Sequence, residues 1–268
     1  MMKGLLVSDT HSGSIYSIAM PAARVDTIGG THRMNGFQRN VLLPKWKRMC
    51  SEGPYDFVVV NGDLVDGLNY KERGMGMWTH SLDLQAENAA HLLNCISVQP
   101  EAPIYVIGGT VYHVEANPGI DQVVAEKLAA LGKNVKYCGL EQILEIEKQK
   151  FHFSHWVSDS IYDGTSLSKE ILMSKKHDIK VTGMFRGHRH HYGFYSDGFR
   201  FAAMLPAWKG RDAYVQKRGM RYATTQIGWV TLTVGKEYWN VQPTVWNIDD
   251  AIPTVSLGKK KETFAKEK

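Results

Sequence analysis

No stretch of the 268 residues approaches the roughly 18–20 consecutive apolar positions that a membrane helix needs. The apolar run nearest the first residue, Leu5 to Val7, is too short for a signal peptide and is soon followed by Asp9, so the expected location is cytoplasmic. Cysteine is scarce and scattered. Cys50, Cys95 and Cys138 form no CxxC pair, and an odd count argues against a disulfide framework. The thiols are therefore read as reduced. There is no repeat and no linker rich in proline or serine. What is present is the profile of a folded globular chain, 43% hydrophobic and 22% charged. The formal charge of +5 is a weak argument for nucleic acid, because Lys259, Lys260, Lys261, Lys266 and Lys268 sit in the last eleven residues. The expected organisation is one domain over 1–256 with a basic tail over 257–268. Histidine is the informative residue: eleven are present, six of them from His152 to His191.

Three short runs, Leu5–Val7, Phe57–Val60 and Ile104–Ile107, are continuously apolar and rich in β-branched residues, as strands buried on both faces are. Helical spacing follows at 81–96 (Leu82, Ala86, Ala89, Leu93) and at 118–131 (Ile120, Val123, Val124, Leu128). Asn117 suits the second helix's N-cap, Pro118 its first position and Gly132 its stop. Alternating strands and helices predict a largely parallel sheet with helices outside. The second half is richer in antiparallel signals. Glu141–Phe153 reads as paired strands around a Glu147–Lys150 turn, and Val181–Phe185 as a further strand. Hairpins are expected at 192–204 and 227–241. Ser12–Met34 has no period and reads as a long loop.

Polar clusters follow or end the strand candidates: Asp9-Thr10-His11, Gly62-Asp63-Leu64-Val65-Asp66, Gly109-Thr110-Val111-Tyr112-His113, His152-Phe153-Ser154-His155 and Gly187-His188-Arg189-His190-His191. Strand C-termini are where ligands bind in open α/β sheets. Carboxylates and imidazoles gathered there without cysteine suit Mn, Fe, Zn or Ni. On an extended segment, i and i+2 point the same way, so Asp9 and His11 could hold one ion, and His188-x-His190 repeats that spacing. A carboxylate such as Asp63 has two oxygens and could bridge two ions that clamp a phosphate and activate water. His155 is preferred to His152 because it ends its run. Asp66 and His191 are read as supporting residues. Trp208, Tyr214, Tyr222 and Trp229 are read as packing. Lys209, Arg211, Lys217, Arg218 and Arg221 form a basic stretch among them.

The order Asp-x-His, Gly-Asp-x-x-Asp, a glycine-rich third motif, a lone His and Gly-His-x-His, spread over roughly 3–191, resembles the calcineurin-like metallophosphoesterase superfamily. The resemblance implies an α/β fold, an αββα sandwich of two mixed sheets flanked by helices, and a dinuclear site. It puts Asp9, His11, Asp63 and His190 on one ion. It puts Asp63, Thr110, His155 and His188 on the other, with Asp63 shared. The two divalent ions are expected to be manganese, with iron, zinc or nickel as alternatives.

One motif departs from the pattern. The family's Gly-Asn-His, a ligating Asn and a proton-donating His, is here Gly109-Thr110-Val111-Tyr112-His113. Thr110 occupies the Asn position, and His113 is either the catalytic acid or a replacement ligand, with Glu115 a further contributor. This form is similar to that of bacteriophage-encoded members, which implies a host cytoplasm. The arginine of the protein phosphatases' Gly-Asp-x-Val-Asp-Arg-Gly is missing after Asp66. The expected activity is therefore hydrolysis of phosphodiesters, nucleic acid among them, with Lys209, Arg211 and Arg218 contacting the phosphate backbone. The alternatives are a small-molecule phosphomonoesterase and a binding or assembly protein that kept the fold. No membrane partner is expected.

Overall fold

The computed structural model describes residues 1–26, 28–70, 73–110, 119–158, 160, 162–212 and 225–248. The strands are β1 (Met2–Val7), β2 (Phe57–Asn61), β3 (Ile104–Ile107), β4 (Val135–Tyr137), β5 (Glu141–Ile146), β6 (Gln149–Ser154), β7 (Gly183–Arg186), β8 (Gly193–Ser196), β9 (Phe201–Met204), β10 (Gln226–Val234) and β11 (Trp239–Asn247). The helices are α1 (Leu43–Ser51), α2 (Leu82–Asn94), α3 (Ile120–Ala130) and α4 (Asp163–Lys176). One six-stranded sheet runs β11-β10-β1-β2-β3-β4, and a five-stranded sheet runs β5-β6-β7-β9-β8. Pairing from β1 to β4 is parallel, and β10 and β11 join antiparallel. In the second sheet β6, β7 and β9 are parallel, flanked by antiparallel β5 and β8.

Strand alternation sorts the core into three layers. Leu5, Val7, Val58, Val60, Ile104 and Val106 face α1, α2 and α3. Leu6, Phe57, Val59 and Ile107 turn the other way and meet Phe151, Phe153, Phe185 and Phe201 of the second sheet. Met184, Ala202 and Met204 on that sheet's outer face pack on Leu167 and Ile171 of α4. The result is the expected sandwich, helices outside two mixed sheets. It explains the apolar runs: strands with partners on both faces have no polar side to alternate with.

Local interactions fix the ends of several elements. Ser81 caps α2 by accepting from the Leu84 amide. Gly132, with φ +89°, ends α3. The expected start, with Asn117 as N-cap and Pro118 as first helical residue (both outside the described residues), is two positions early: Gly119 is the N-cap and Ile120 the first residue of the helix. The β5–β6 turn is two residues long, Glu147 and Lys148, both at positive φ, which suits the twist of a tight hairpin. Over Ser12–Met34 the described residues form neither helix nor strand and are pinned by isolated bridges from Ser12 to Val65, Ser14 to Met77 and Ser17 to Lys209.

Three elements escaped the sequence reading. Helix α1, entered through a wide turn at Gln38–Leu42, buries Leu43, Trp46, Met49 and Cys50 at ordinary helical spacing, a pattern the sequence reading passed over. Helix α4 exposes Leu172 and Met173 while burying Ser166 and Ser174, which blurs its apolar face. Strand β4 has only three residues on a sheet edge.

Both sheets use one packing device in the intersheet layer. Gly4 lies opposite Phe57 in the β1–β2 register, and a Cβ on it would sit 2.0 Å from the Phe57 ring. Gly183 lies opposite Phe201, and its Cβ would sit 2.1 Å from that ring. Each phenyl lies flat over its glycine, and overpacking there has no flexible neighbour to yield. Gly4→Ala and Gly183→Ala should each lower unfolding free energy by about 1–3 kcal/mol, read as a lower urea midpoint at unchanged slope.

Candidate metal centre

Each sheet delivers its candidate ligands from strand C-termini. Asp9 and His11 follow β1, Asp63 follows β2, and Thr110 follows β3. His155 follows β6, and His188 and His190 follow β7. Hydrogen bonds tie neighbouring strand ends within each sheet, and one from Asn61 crosses between the sheets. The Asp9 amide donates to the Gly62 carbonyl and the His11 amide to that of Asp63, both at 3.0 Å. The Gly187 amide donates to the His155 carbonyl at 3.0 Å, and Asn61 Nδ2 donates to the Ser154 carbonyl at 3.1 Å.

Two groups of ligand atoms converge, Asp9–His11–His190 and Asp63–His155–His188, the atoms of each lying within 4.8 Å of one another. The extended-segment argument for Asp9-x-His11 does not describe how this is done. Asp9, His11, Asp63, His188 and His190 all have φ between 44° and 71°. Left-handed residues interleaved with ordinary ones turn the chain sharply, so the i and i+2 side chains meet in a turn rather than along a pleat. The same geometry splits His188 from His190 and sends them to different groups.

Asp9 Oδ1 lies 3.2 Å from His190 Nε2, 3.6 Å from His11 Nε2 and 3.7 Å from His155 Nε2, so it touches both groups. Its other oxygen accepts from Ser8 Oγ at 2.5 Å and from the His188 amide at 3.2 Å. Asp63 Oδ2 faces His155 Nε2 at 3.0 Å, while Oδ1 accepts from the Thr110 amide at 2.6 Å and from its hydroxyl at 3.1 Å. Thr110 is thus placed on Asp63. His11 Nε2 and His190 Nε2 face each other at 3.1 Å, a contact that needs a proton or a cation between them.

The rings are oriented from behind. His155 Nδ1 lies 2.6 Å from the Asn61 carbonyl, which can only accept, so Nδ1 carries the proton and Nε2 points inward. His11 Nδ1 lies 3.1 Å from Asp66 Oδ1. Lys209 Nζ holds that same oxygen at 2.8 Å and Asp212 Oδ2 at 2.9 Å. This is the carboxylate–histidine arrangement that fixes a ligand's tautomer.

The electrostatics show how strongly the cluster draws positive charge. Burial opposes a charged ring at His155, yet the Asp63 and Asp9 carboxylates outweigh it and push it up to about 10. Burial, joined by the charge on His155, brings His188 down to about 4. Burial alone would raise Asp9, but the His155 and His190 rings hold it well below the usual carboxylate range. Protons stand in where positive charge is needed. Asp9 Oδ1 and His155 Nε2 are buried with no hydrogen bond, and each faces other candidate ligands. The donor set, carboxylate and imidazole without thiolate, fits divalent transition metals on these observations.

The other sequence candidates fall in different places. His152 pairs with Glu141 at 3.2 Å, away from the two groups. Trp208 and Trp229 are fully buried and stack at 6.3 Å in the helix-side core. Lys209 is buried among Asp66 and Asp212 beneath His11, and Arg211 is buried as well. His113, Glu115, Tyr214, Lys217, Arg218, Arg221 and Tyr222 lie outside the described residues. Sequence reasoning missed Asp121, on the first turn of α3. Its buried carboxylate accepts from the Leu64 amide at 3.1 Å and the Gly109 amide at 2.8 Å, clamping the loops after β2 and β3. Burial, reinforced by Asp63, pushes Asp121 up to about 7. The only sequence signal was an acidic residue in a first helical turn, where a dipole role is the ordinary reading.

Removing Lys209 strands two buried carboxylates. Lys209→Met should destabilise the fold by about 3–5 kcal/mol in urea melts. Adding Asp66→Asn should recover part of that loss, whereas strict additivity would show that the two are not coupled.

No protein-family profile and no curated protein sequence match the chain. Solved structures resemble it in architecture. One is an archaeal phosphodiesterase, with TM-score 0.48 and 13% identity over 91% of this chain and 100% of that one. Another is Vps29 complexed with zinc from Entamoeba histolytica, with TM-score 0.44 and 11% identity over 92% and 99%. A predicted phosphoesterase from Streptococcus pneumoniae gives TM-score 0.41 and 10% identity over 92% and 97%. Each of these is a likeness of architecture alone.

Proposed function

We propose that this chain is a metal-dependent phosphoesterase that hydrolyses phosphodiesters, nucleic acid being one candidate substrate. One observation carries the reading: two Asp/His groups, linked through Asp9, meet at the C-terminal ends of strands from both sheets. In this reading Asp9, His11 and His190 hold one ion and Asp63, His155 and His188 the other, with Asp63 shared and Thr110 supporting it. Divalent ions bound there supply Lewis acidity to a phosphoryl oxygen and make water nucleophilic at neutral pH, and manganese is the proposed metal.

The chain's own groups do the rest. Asp66 and Asn61 hold His11 and His155 in the tautomers that present Nε2 inward. Thr110 holds the Asp63 carboxylate, and Asp121 holds the loop behind it through the Leu64 amide. Buried carboxylates in a setting of low dielectric attract cations far more strongly than they would in water. His113 is the proposed donor of a proton to the leaving oxygen. Arg218 is the proposed contact to a phosphate backbone; Arg211 was expected beside it and is buried. Lys209 was expected beside them, and its buried pairing gives it the part of a positioning residue behind His11.

A second reading, a fold-retaining binding protein, draws on Thr110: its hydroxyl is used on Asp63 where the family's amide is absent. Metal content and turnover separate the two. Wild type should hold two ions per chain and cleave bis(p-nitrophenyl) phosphate with Mn. Asp63→Asn should lower turnover by about 100-fold or more and reduce bound metal, measured by elemental analysis. Two retained ions with normal turnover in that variant would reject the shared-ligand assignment. No cleavage by wild type would favour the binding protein.

Loading metal also has a proton signature. His155 is charged at neutral pH without metal, and only the neutral ring ligates. Adding Mn to metal-free protein at pH 7 in weak buffer should release protons, and metal affinity should rise with pH. No acidification on saturation would place the ion elsewhere.

A further inference from the structure

Of the seven tryptophans, Trp156 alone is exposed, at 59%, and it stands on the rim of the metal centre. It directly follows His155. Its ring lies 4.6 Å from the His188 ring, tilted by 32°, while His188 in turn stands edge-on to His155 at 5.6 Å. Trp46, Trp208 and Trp229 are buried, and Trp78, Trp239 and Trp246 are partly covered. A side chain this large and apolar is ordinarily kept from water. The position places a flat π-face one ring beyond a candidate ligand.

We propose that Trp156 is the specificity face of this centre, stacking a planar aromatic group carried on one ester arm of the phosphate substrate. The inference rests on the phosphoesterase reading for the position of the phosphate. His188 belongs to one ligand group, so a phosphate held there places its substituents beside the Trp156 ring. A group without an aromatic face gains nothing from that surface. A nucleobase or a simple aryl group does, because every such ring offers a π-face. The indole is already fixed on one side by His188, so stacking orders little additional side chain. The chemistry selects the aromatic ring; the substrate arms below separate a nucleobase from a plain aryl ester.

The test uses full-length, Mn-loaded protein. Three diesters are compared: the thymidine dinucleotide, its abasic tetrahydrofuran counterpart and bis(p-nitrophenyl) phosphate. Trp156→Ala should lower kcat/KM about tenfold on the base-bearing dinucleotide, mainly through KM, and change the abasic one less than threefold. Trp156→Phe should restore most of the loss. Loss on the dinucleotide alone assigns the face to nucleobases; equal loss on the nitrophenyl ester assigns it to aromatic rings generally. A uniform loss on all three, or none, overturns the proposal. A binding readout covers the case in which wild type cleaves nothing and the phosphoesterase reading itself fails. Thymidine 5′-monophosphate should quench tryptophan fluorescence in wild type and not in Trp156→Phe. Equal quenching in both, or none in wild type, rejects the stacking face.

Discussion

Two carboxylates, Asp9 and Asp63, are at most 1% exposed, and the rest of the structure answers to them. An isolated buried carboxylate is penalised by several kcal/mol even after relaxation. Such groups persist only where positive charge or convergent donors meet them. Here three imidazole nitrogens surround one oxygen of Asp9, while Ser8 and the His188 amide take the other. Asp63 is met by His155 and by two donors from Thr110. The sandwich brings the C-terminal ends of two parallel strand sets to one seam, which is how residues some 180 positions apart in the chain share an oxygen.

Neutralisation by imidazoles works only if the rings are held, and the holding is done one layer back. The backbone carbonyl of Asn61 serves His155, and Asp66 serves His11. Asp66 is itself buried and leans on Lys209, whose ammonium is also bound by Asp212. Carboxylates therefore alternate with nitrogen groups from Asp9 through His11, Asp66 and Lys209 to Asp212. Each member would be unfavourable alone at this burial, and each supplies the next with its counterpart. A lysine in a basic stretch looks like a surface cation in sequence. Depth in the fold makes it a structural one.

How much was legible follows from the range of each signal. The strands β1, β2 and β3 were readable because two-sided burial leaves a continuous apolar run. The six Asp and His ligand candidates were readable because strand ends concentrate them in short motifs whose order is informative. Asp121 was not, since its role depends on α3 being placed against the loops after β2 and β3, more than 50 residues away from Leu64 in sequence. Trp156 was hidden for a similar reason. Beside Phe153 and His155 it reads as one more apolar strand residue, and only the end of β6 at Ser154 puts it outside the core. The mixed faces of α4 concealed a helix whose stability comes from tertiary contacts rather than from local pattern, whereas α1 carries Leu43, Trp46, Met49 and Cys50 at helical spacing and was legible.

The backbone at the ligands carries the same logic one step further. Five of the six candidate ligand residues in the two groups occupy left-handed conformations, which disfavour most side chains by about 1–2 kcal/mol each. Aspartate tolerates that region better than most residues and histidine shares the tolerance, so the residues that ligate are also those that bear the strain most cheaply. His155 is the exception. It leaves β6 without a reversal, and its ring is aimed by the Asn61 carbonyl instead of by a turn. Extended backbone would present Asp9 and His11 to a common side but could not separate His188 from His190. Alternating handedness does, and it is the reason one short motif, Gly-His-x-His, can serve both groups of ligands at once.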